Sequence, residues 1–544
     1  MQTYQSDILI IGAGLSGIVT ALELLDTGKK ITMIDRDTEE NIGGLARWAF
    51  GGMFFVNSKH QRRVGIKDSI ELAKHDWWSF AEFEADEYWG QKWAEQYIHL
   101  CTPHSYDWLK SKGLGFFPVL NWVERGLFQP GNSVPRFHMV LGTGWELVKV
   151  LVQQLRTHPK AENIRFCFGH RVQELLVDQQ TVTGVHGQIE TSAADFVAKA
   201  DVIIVATGGI NGSVEKVKAN WAKDMGTPPK RILNGAHQYA VGDLHEATER
   251  VGGSVVNLDK QWNYAAGIAH YAPRKVDHGL SLVPCKSALW LNYEGRRLGP
   301  MPLITAYDTR YLVQRICQEP VRYSWQILNW KIAKKEFAIS GSEHNELMRD
   351  KKLLKFILKT ALVGGGQLVQ KIIDNCEDVV IGHSLPELVD QMNAIDGNQT
   401  VKLRYVQEAI EPYDAQIERG ASFHNDEQLR RIAHARQYRG DRVRTCKFQK
   451  ILDEKAMPLI AIRTHILSRK SLGGIQTNLK SQVLQPSSDG ATQKAFDNFY
   501  AIGEAAGFGG GGMHGKRSLE GTFLGGCVIS ARVAAAAIKG ETLS

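Results

Sequence analysis

The sequence predicts an α/β protein built on a parallel sheet flanked by helices. Three observations predict it. "DILIIGAGLSG" opens with the β-branched run Ile8 to Ile11 and meets glycines at Gly12, Gly14 and Gly17; short apolar runs bounded by such punctuation read as buried strands. "ADVIIVATGG" repeats the pattern and ends in Thr207-Gly208-Gly209. "NFYAIGEAAG" places a third strand just before Gly503-Glu504. Strand ends so far apart in sequence converge if one long ligand lies across the carboxyl edge of a single sheet.

The first element carries the clearest chemistry. After Gly17, the positions Leu15, Ile18, Val19, Leu22 and Leu25 share one helical face. The next strand, "ITMID", ends in Asp35, followed by Arg36. This is a Rossmann-like strand–helix–strand unit. Gly12 permits the tight turn, Gly14 lets backbone approach a pyrophosphate, and Gly17 lets helix and sheet pack closely. Leu15 and Ser16 open a helix whose free N–H groups and dipole favour phosphate. Asp35 can accept from ribose hydroxyls. "GGLARWAFGGM" follows, and its pairs Gly43-Gly44 and Gly51-Gly52 read as backbone passing the same ligand again. Ala206, Thr207, Gly208, Gly503 and Glu504 extend the contact along the sheet. A ligand reaching so far past the first unit fits FAD better than NAD.

Length and composition bound the rest. A chain of 544 residues exceeds what one core usually supports, so two or more domains are expected. The net charge of +7 is spread without a basic block, a weak basis for a nucleic-acid partner. Seven scattered cysteines, with no CxxC and no HExxH, predict a reducing, cytoplasmic setting and no metal site. The start is polar and then a strand, unlike a signal peptide. The most apolar run, "CVISARVAAAAI", carries Arg532, and no membrane span is expected.

With these motifs in hand, the chain resembles the flavoproteins that include fumarate reductases, succinate dehydrogenases and 3-ketosteroid dehydrogenases, most of all the ketosteroid-dehydrogenase-like branch. "IIGAGLSG", "GGLARWAFGG", "GIKDS", "VATGG", "GDLHEATERVGG", "LNYEGRRL", "SLGGIQTN", "YAIGEAAG" and "LEGTFLGG" carry the likeness over nearly the whole length. It implies an FAD-binding domain formed by residues 1–254 and 456–544, with an α+β substrate or cap domain inserted at 255–455. "SLPELVDQMNAIDG" and "LRRIAHARQYRGDR" read as helices of that cap. The tryptophans of "DWWSFAEFEADEYWGQKWAEQYIHLC" read as packing or subunit-interface residues, compatible with a homo-oligomer. "GGLARWAFGG" lacks the histidine that attaches flavin covalently in some relatives, so FAD should be non-covalent.

The resemblance also implies a site. The last helix should point its N-terminus at the flavin, with Gly521, Thr522, Leu524 and Gly525 at the family positions and Glu504 at the ribityl chain. Fumarate reductases carry an "HGxxRLGG"-like run; here "HGKRSLEGT" puts the arginine at Arg517 or Ser518. Their "HTMGG" becomes "SRKSLGG", with Lys470 at the histidine position. The ketosteroid-type "GAGSTLG" resembles "LEGTFLG" and puts Gly521 at the ketone-binding amide, while Arg517 replaces the upstream tyrosine. A cap tyrosine would then move the proton, from among Tyr264, Tyr271, Tyr293, Tyr307 and Tyr311. Tyr307, one turn from Arg310 in "ITAYDTRYL", is the first choice. Three activities follow: dehydrogenation α,β to a ketone, reaction of an unsaturated carboxylate, or other flavin chemistry. The substrate is a small molecule. No iron–sulfur or haem motif is present, so an electron acceptor such as a quinone would be a separate partner.

Overall fold

A computed structural model describes residues 1–543 apart from 363 and 488. The strand Ile8–Ile11 lies at the centre of a six-stranded sheet. It pairs in parallel with Val202–Val205 on one side and Ile31–Ile34 on the other. Ala495–Ala501 and Ile164–Cys167 extend the parallel run, and Gln482–Leu484 closes one edge antiparallel. All four residues of the central strand are buried, which is why it reads as an unbroken apolar run rather than an alternating one. The helix Leu15–Leu24 follows the first glycine turn. Gly12 takes φ +112°, and a Cβ on Gly17 would sit 2.0 Å from the Gly12 carbonyl oxygen. The two glycines therefore set how closely helix and sheet approach.

The closing helix, Thr522–Lys539, packs on the same side and shares one apolar core with Leu15–Leu24. By length and composition it is apolar enough to cross a membrane, but most of it is buried inside the protein. Arg532 does not interrupt it as a surface charge would: its Nη1 donates to the His104 carbonyl at 2.8 Å and Nε pairs with Glu23. Trp77 and Trp93, fully buried, donate to the carbonyls of Met513 and Asn478, so the tryptophan-rich segment packs against the glycine-rich loop.

A second sheet runs in the order Leu289–Leu291, Ser324–Asn329, Leu459–Ser471, Gln261–Ala269, Gly279–Val283, Ala338–Ile339 and has its own core. Helices cover it. Leu385–Asp396 forms as its sequence predicts: Ser384 caps the start, a proline sits in the first turn, and Gly397 closes it at φ +63°. "LRRIAHARQYRGDR" becomes two helices, Glu427–Gln437 and Arg439–Arg444, broken at Tyr438. The long strand Leu459–Ser471 hydrogen-bonds to strands of this second sheet along its length. The boundary expected near residue 456 precedes that strand, whereas strand pairing places the return to the first sheet after Ser471.

Gly17→Ala tests the helix–sheet approach. The added methyl meets backbone that cannot move away, so stability should fall by about 1–3 kcal/mol, seen as a lower urea midpoint, with flavin content falling in parallel.

Candidate active site

The carboxyl ends of the parallel strands open onto one cleft, of about 420 Å³. Its wall includes Gly12, Gly14, Leu15, Ser16, Asp35, Arg36, Gly43, Gly44, Gly51, Gly52, Ala206, Thr207, Gly208, Glu504, Gly521 and Leu524, so most of the residues expected around a dinucleotide come together. Gly17, Gly503, Thr522 and Gly525 lie behind it. The Thr522 hydroxyl is turned inward to the Leu519 carbonyl at 2.7 Å, and a Cβ on Gly525 would strike the Tyr97 hydroxyl. Gly51 and Gly52 line the cleft, but their nearest constraint is protein: Cβ atoms there would meet the Thr143–Gly144 backbone and the Phe137 ring.

Two helix N-termini face this cleft. The helix at Leu15 is capped by Gly14 and the helix at Thr522 by Gly521, neither with a side-chain cap. No side chain therefore takes their first-turn N–H groups, although the Thr522 amide donates to the Leu519 carbonyl at 3.3 Å, and both dipoles favour negative charge. A Cβ on Gly14 would meet nothing within 4 Å, so the wall there is open. Asp35 accepts from the Ala13 and Asp37 amides at 2.5 and 2.7 Å, which holds it at the strand end with acceptor capacity to spare. Burial pushes its carboxyl above the usual range, offset in part by those two amides. Arg36 packs over the Tyr239 ring at 4.5 Å. Glu504 accepts from the Ser471 amide at 3.0 Å, and burial raises its pKa too. Free helix ends, an open glycine turn and a ribose-ready carboxylate on one wall fit FAD. The two histidines on that wall are engaged, His170 with Tyr4 and His237 with Asp37.

The catalytic candidates separate. Lys470 and Gly521 are on the wall. The Lys470 ammonium lies 4.1 Å from the Phe523 ring centroid. Burial and the neighbouring Arg469 pull its pKa down, against Glu520 and Glu504. Arg517 and Tyr307 are not on the wall, and both expectations are corrected. Arg517 pairs with Asp308 at 3.1 Å and with Glu82, below the loop. The Tyr307 hydroxyl donates to the Arg431 carbonyl at 2.9 Å and meets His434, turned into the cap.

Tyr264, unlike Tyr307, lines the cleft. Its hydroxyl donates to Glu520 Oε1, and the Trp262 indole N–H donates to the same oxygen at 3.1 Å. Trp262 and Tyr264 are two apart on one strand, so both reach the same side. Glu520, Tyr264, Lys470 and Gly521 line the cleft together. Burial and then Glu520 raise the Tyr264 phenol well above its ordinary value. Glu520 stands in the "LEGTFLG" motif, directly before the helix-opening glycine; an acid at that place was the available signal. Glu124 is also on the wall, its carboxyl held by Thr309 and pushed up to about 8 by burial and Asp308. Away from the cleft, His270, Glu343 and His344 bring potential ligand atoms within 4.8 Å. Arg274 already pairs with that glutamate, and His270 Nδ1 accepts from the Ala272 amide, so the group has structural partners.

Comparison with known proteins agrees with this geometry. The FAD binding domain family model matches residues 7–524. A KsdD-like steroid dehydrogenase of Mycobacterium tuberculosis is 41% identical over 547 residues, covering 97% of this chain and 95% of its own. One from Mycolicibacterium smegmatis is 42% identical, covering 95% and 96%. Among solved structures, a flavocytochrome c3 fumarate reductase superposes with TM-score 0.68 at 18% identity, covering 98% of this chain and 78% of that one. A 3-ketosteroid Δ1-dehydrogenase from Sterolibacterium denitrificans gives 0.67 at 13% identity, covering 98% and 99%. Asp35→Ala should weaken FAD binding by about 1–3 kcal/mol, because ribose hydroxyls lose a charged acceptor; flavin retained on dilution measures it, and denatured wild-type protein should release FAD. The chain belongs to the FAD binding domain family and its cofactor is FAD.

Proposed function

We propose that this flavoprotein dehydrogenates a carbon–carbon bond α,β to the ketone of a cyclic, steroid-like substrate. The observation that carries the proposal is the Tyr264–Glu520 pair, set in the cleft beside Lys470 and Gly521. The mycobacterial relatives named as steroid dehydrogenases support the substrate class.

Bound FAD supplies the acceptor for the hydride that leaves one carbon. The protein supplies the rest. Lys470 and the Gly521 N–H hold the ketone oxygen, stabilising the charge that builds there as the adjacent C–H bond breaks. Tyr264 takes that proton on its phenolic oxygen while its own proton passes to Glu520, so a C–H bond is exchanged for an O–H bond and the carboxylate ends neutral. Trp262 fixes the carboxylate's orientation by its second hydrogen bond. FAD is held without a covalent bond, supported by the engagement of both wall histidines. A separate carrier takes the electrons onward. The seven cysteines are all free and mostly buried, which supports a cytoplasmic setting.

A small dicarboxylate is less well served. It needs several convergent cations, and Arg517 is committed to Asp308 and Glu82. Of the cations on the cleft wall, Arg36 pairs with Glu190, Arg171 pairs with Asp243 and Arg469 donates to the Gly235 carbonyl at 2.6 Å, which leaves Lys470 and the solvent-exposed Arg444.

With a dye acceptor, cyclic ketones should be oxidised, while succinate should leave the flavin oxidised. Glu520→Gln and Tyr264→Phe should each lower kcat on the ketone by roughly 10²–10³-fold with FAD still bound, the range for removing a group that acts in the transition state. Wild-type kcat in Glu520→Gln would remove the pair from the mechanism. The depressed Lys470 pKa sets a pH dependence. Its cation is present below the folded-state pKa and lost above it, so the alkaline limb of kcat/KM should lie below the usual lysine range. Lys470→Met should abolish that limb.

A further inference from the structure

Six acids line the cleft, and five have work assigned to them. Asp35 is placed for the ribose. Asp37 accepts from Thr38 and Asn41 and meets His237, and Asp243 accepts from Arg171. Glu504 accepts from the Ser471 amide, and Glu520 from Tyr264 and Trp262. Glu124 is the sixth. It is 1% exposed, and the wall of the cleft is where it reaches open space. Among the described residues no cation lies within ion-pairing distance of it. Arg125, next in sequence, pairs instead with Asp441 and packs over the Trp122 ring at 4.3 Å.

The backbone holds Glu124 there at a cost. Its φ is +52°, and that of Ala306 opposite is +76°, both in a region uncommon for residues other than glycine. Main-chain bonds lock the two segments together. The Arg125 amide donates to the Ala306 carbonyl at 3.2 Å, and the Gly126 amide to the Tyr307 carbonyl at 2.8 Å. Conformations of this kind persist where the surroundings over-determine them, and they cluster at ligand sites. The partner of the Glu124 side chain is Thr309, which opens the helix Thr309–Cys317 and stands half-buried on the same wall. The Thr309 amide donates to Glu124 Oε2 at 3.0 Å, and the Thr309 hydroxyl is bonded to Oε1. Asp308, one residue earlier, pairs with Arg517 at 3.1 Å, three residues before Glu520. The pair therefore stands where the cap meets the loop that carries Glu520.

Counting donors and acceptors gives the ligand. A buried carboxyl without a counter-cation is favoured in its neutral form, and burial and then Asp308 push this one up to about 8. Oε2 accepts from an amide, so the proton of the neutral acid is on Oε1. Oε1 then donates to the Thr309 hydroxyl oxygen, whose own proton is free to point into the cleft, while Oε2 keeps a second lone pair. One wall thus offers one donor and one acceptor side by side. An alcohol satisfies both. A ketone satisfies only the donor, a carboxylate meets a lone pair, and a hydrocarbon leaves both unpaired.

We propose that Glu124 and Thr309 form a hydroxyl-binding subsite, and that the preferred substrate is a cyclic ketone of steroid-like bulk that also carries an alcohol. This rests on the ketone-dehydrogenase reading above and adds a substrate class to it.

The test uses the FAD-loaded full chain and a panel of ketosteroids with one hydroxyl each, together with the parent ketone that has none. Binding is read from the flavin absorbance. At least one keto alcohol should bind more tightly than the parent by about ten- to a hundredfold, the worth of two hydrogen bonds between neutral groups. Glu124→Leu and Thr309→Val should each bring that ratio close to one. Glu124→Gln should keep most of it, because an amide presents the same donor and acceptor pattern as the neutral acid. Equal binding of the parent and every keto alcohol by wild type would overturn the proposal. So would a ratio that survives both apolar variants, or a loss of FAD, which would assign the pair to the hydroxyls of the cofactor. A merely structural tie between loop and cap would weaken parent and alcohol alike, and that result also overturns it. A second titration uses the same alcohols without any ketone and is read by calorimetry. Binding that Glu124→Leu removes supports the subsite even if no ketone is turned over, in which case only the ketone reading fails. Absence of binding, or binding that Glu124→Leu leaves intact, overturns the subsite even if ketones are turned over.

Discussion

Glu520 is the contact on which the arrangement of the site depends. It belongs to the first domain, one residue before the glycine that opens the closing helix. Its hydrogen-bond donors, Trp262 and Tyr264, belong to the first strand of the second sheet. One carboxylate oxygen thus ties the inserted domain to the N-terminus of the helix facing the cleft. A partner lost here leaves a half-buried carboxylate short of a donor, which costs more than losing a fully exposed hydrogen bond. The helix dipole adds to the hold, because a negative group is favoured next to a helix N-terminus. The contact that joins the second sheet to the closing helix is also the one to which the proposed mechanism gives proton transfer.

The remaining charges sort along the cleft by the work their surroundings permit. At the Asp35 end, acids and arginines pair with one another and brace the glycine turns. Lys470 is half-buried on the cleft wall with no carboxylate in ion-pairing distance among the described residues, and desolvation lowers its pKa. A cation so placed acts in a low-dielectric setting, where it stabilises developing negative charge far more than it could in water. Arg517, by contrast, is neutralised by two carboxylates and lies beneath the loop, where it anchors the chain. Charge on its own does not identify a functional group; lack of a partner beside a cleft does.

The sequence made the dinucleotide frame legible because that frame is local. Gly12, Gly14, Gly17 and Asp35 act within one strand–helix–strand unit, and their spacing alone fixes their geometry. The catalytic side chains were harder. Arg517 and Tyr307 were chosen by register and by helical spacing, but what decides their role is which face of the loop or helix meets the cleft, and distant residues (Asp308, Glu82, Arg431) settle that. Tyr264 stood among five tyrosines with nothing local to single it out; its distinction is a partner 256 residues away. The family resemblance puts residues 456–544 in the FAD-binding domain, while the hydrogen bonds of Leu459–Ser471 join that strand to the second sheet.

The raised Tyr264 pKa narrows the mechanism. A half-buried phenol beside a carboxylate is favoured in its neutral form by desolvation and by that charge. A neutral phenol alone is a poor base for a proton next to a ketone. The same carboxylate that makes the tyrosinate unfavourable is the one placed to accept the phenolic proton. In the proposed mechanism the proton passes through Tyr264 without resting as tyrosinate, arriving from carbon as the other leaves for Glu520. Such a relay needs the ketone oxygen to carry charge at the same moment, which assigns Lys470 and Gly521 their part. A tyrosine acting alone would need a partner that lowers its pKa, and the half-buried Glu520 carboxylate beside Tyr264 does the opposite.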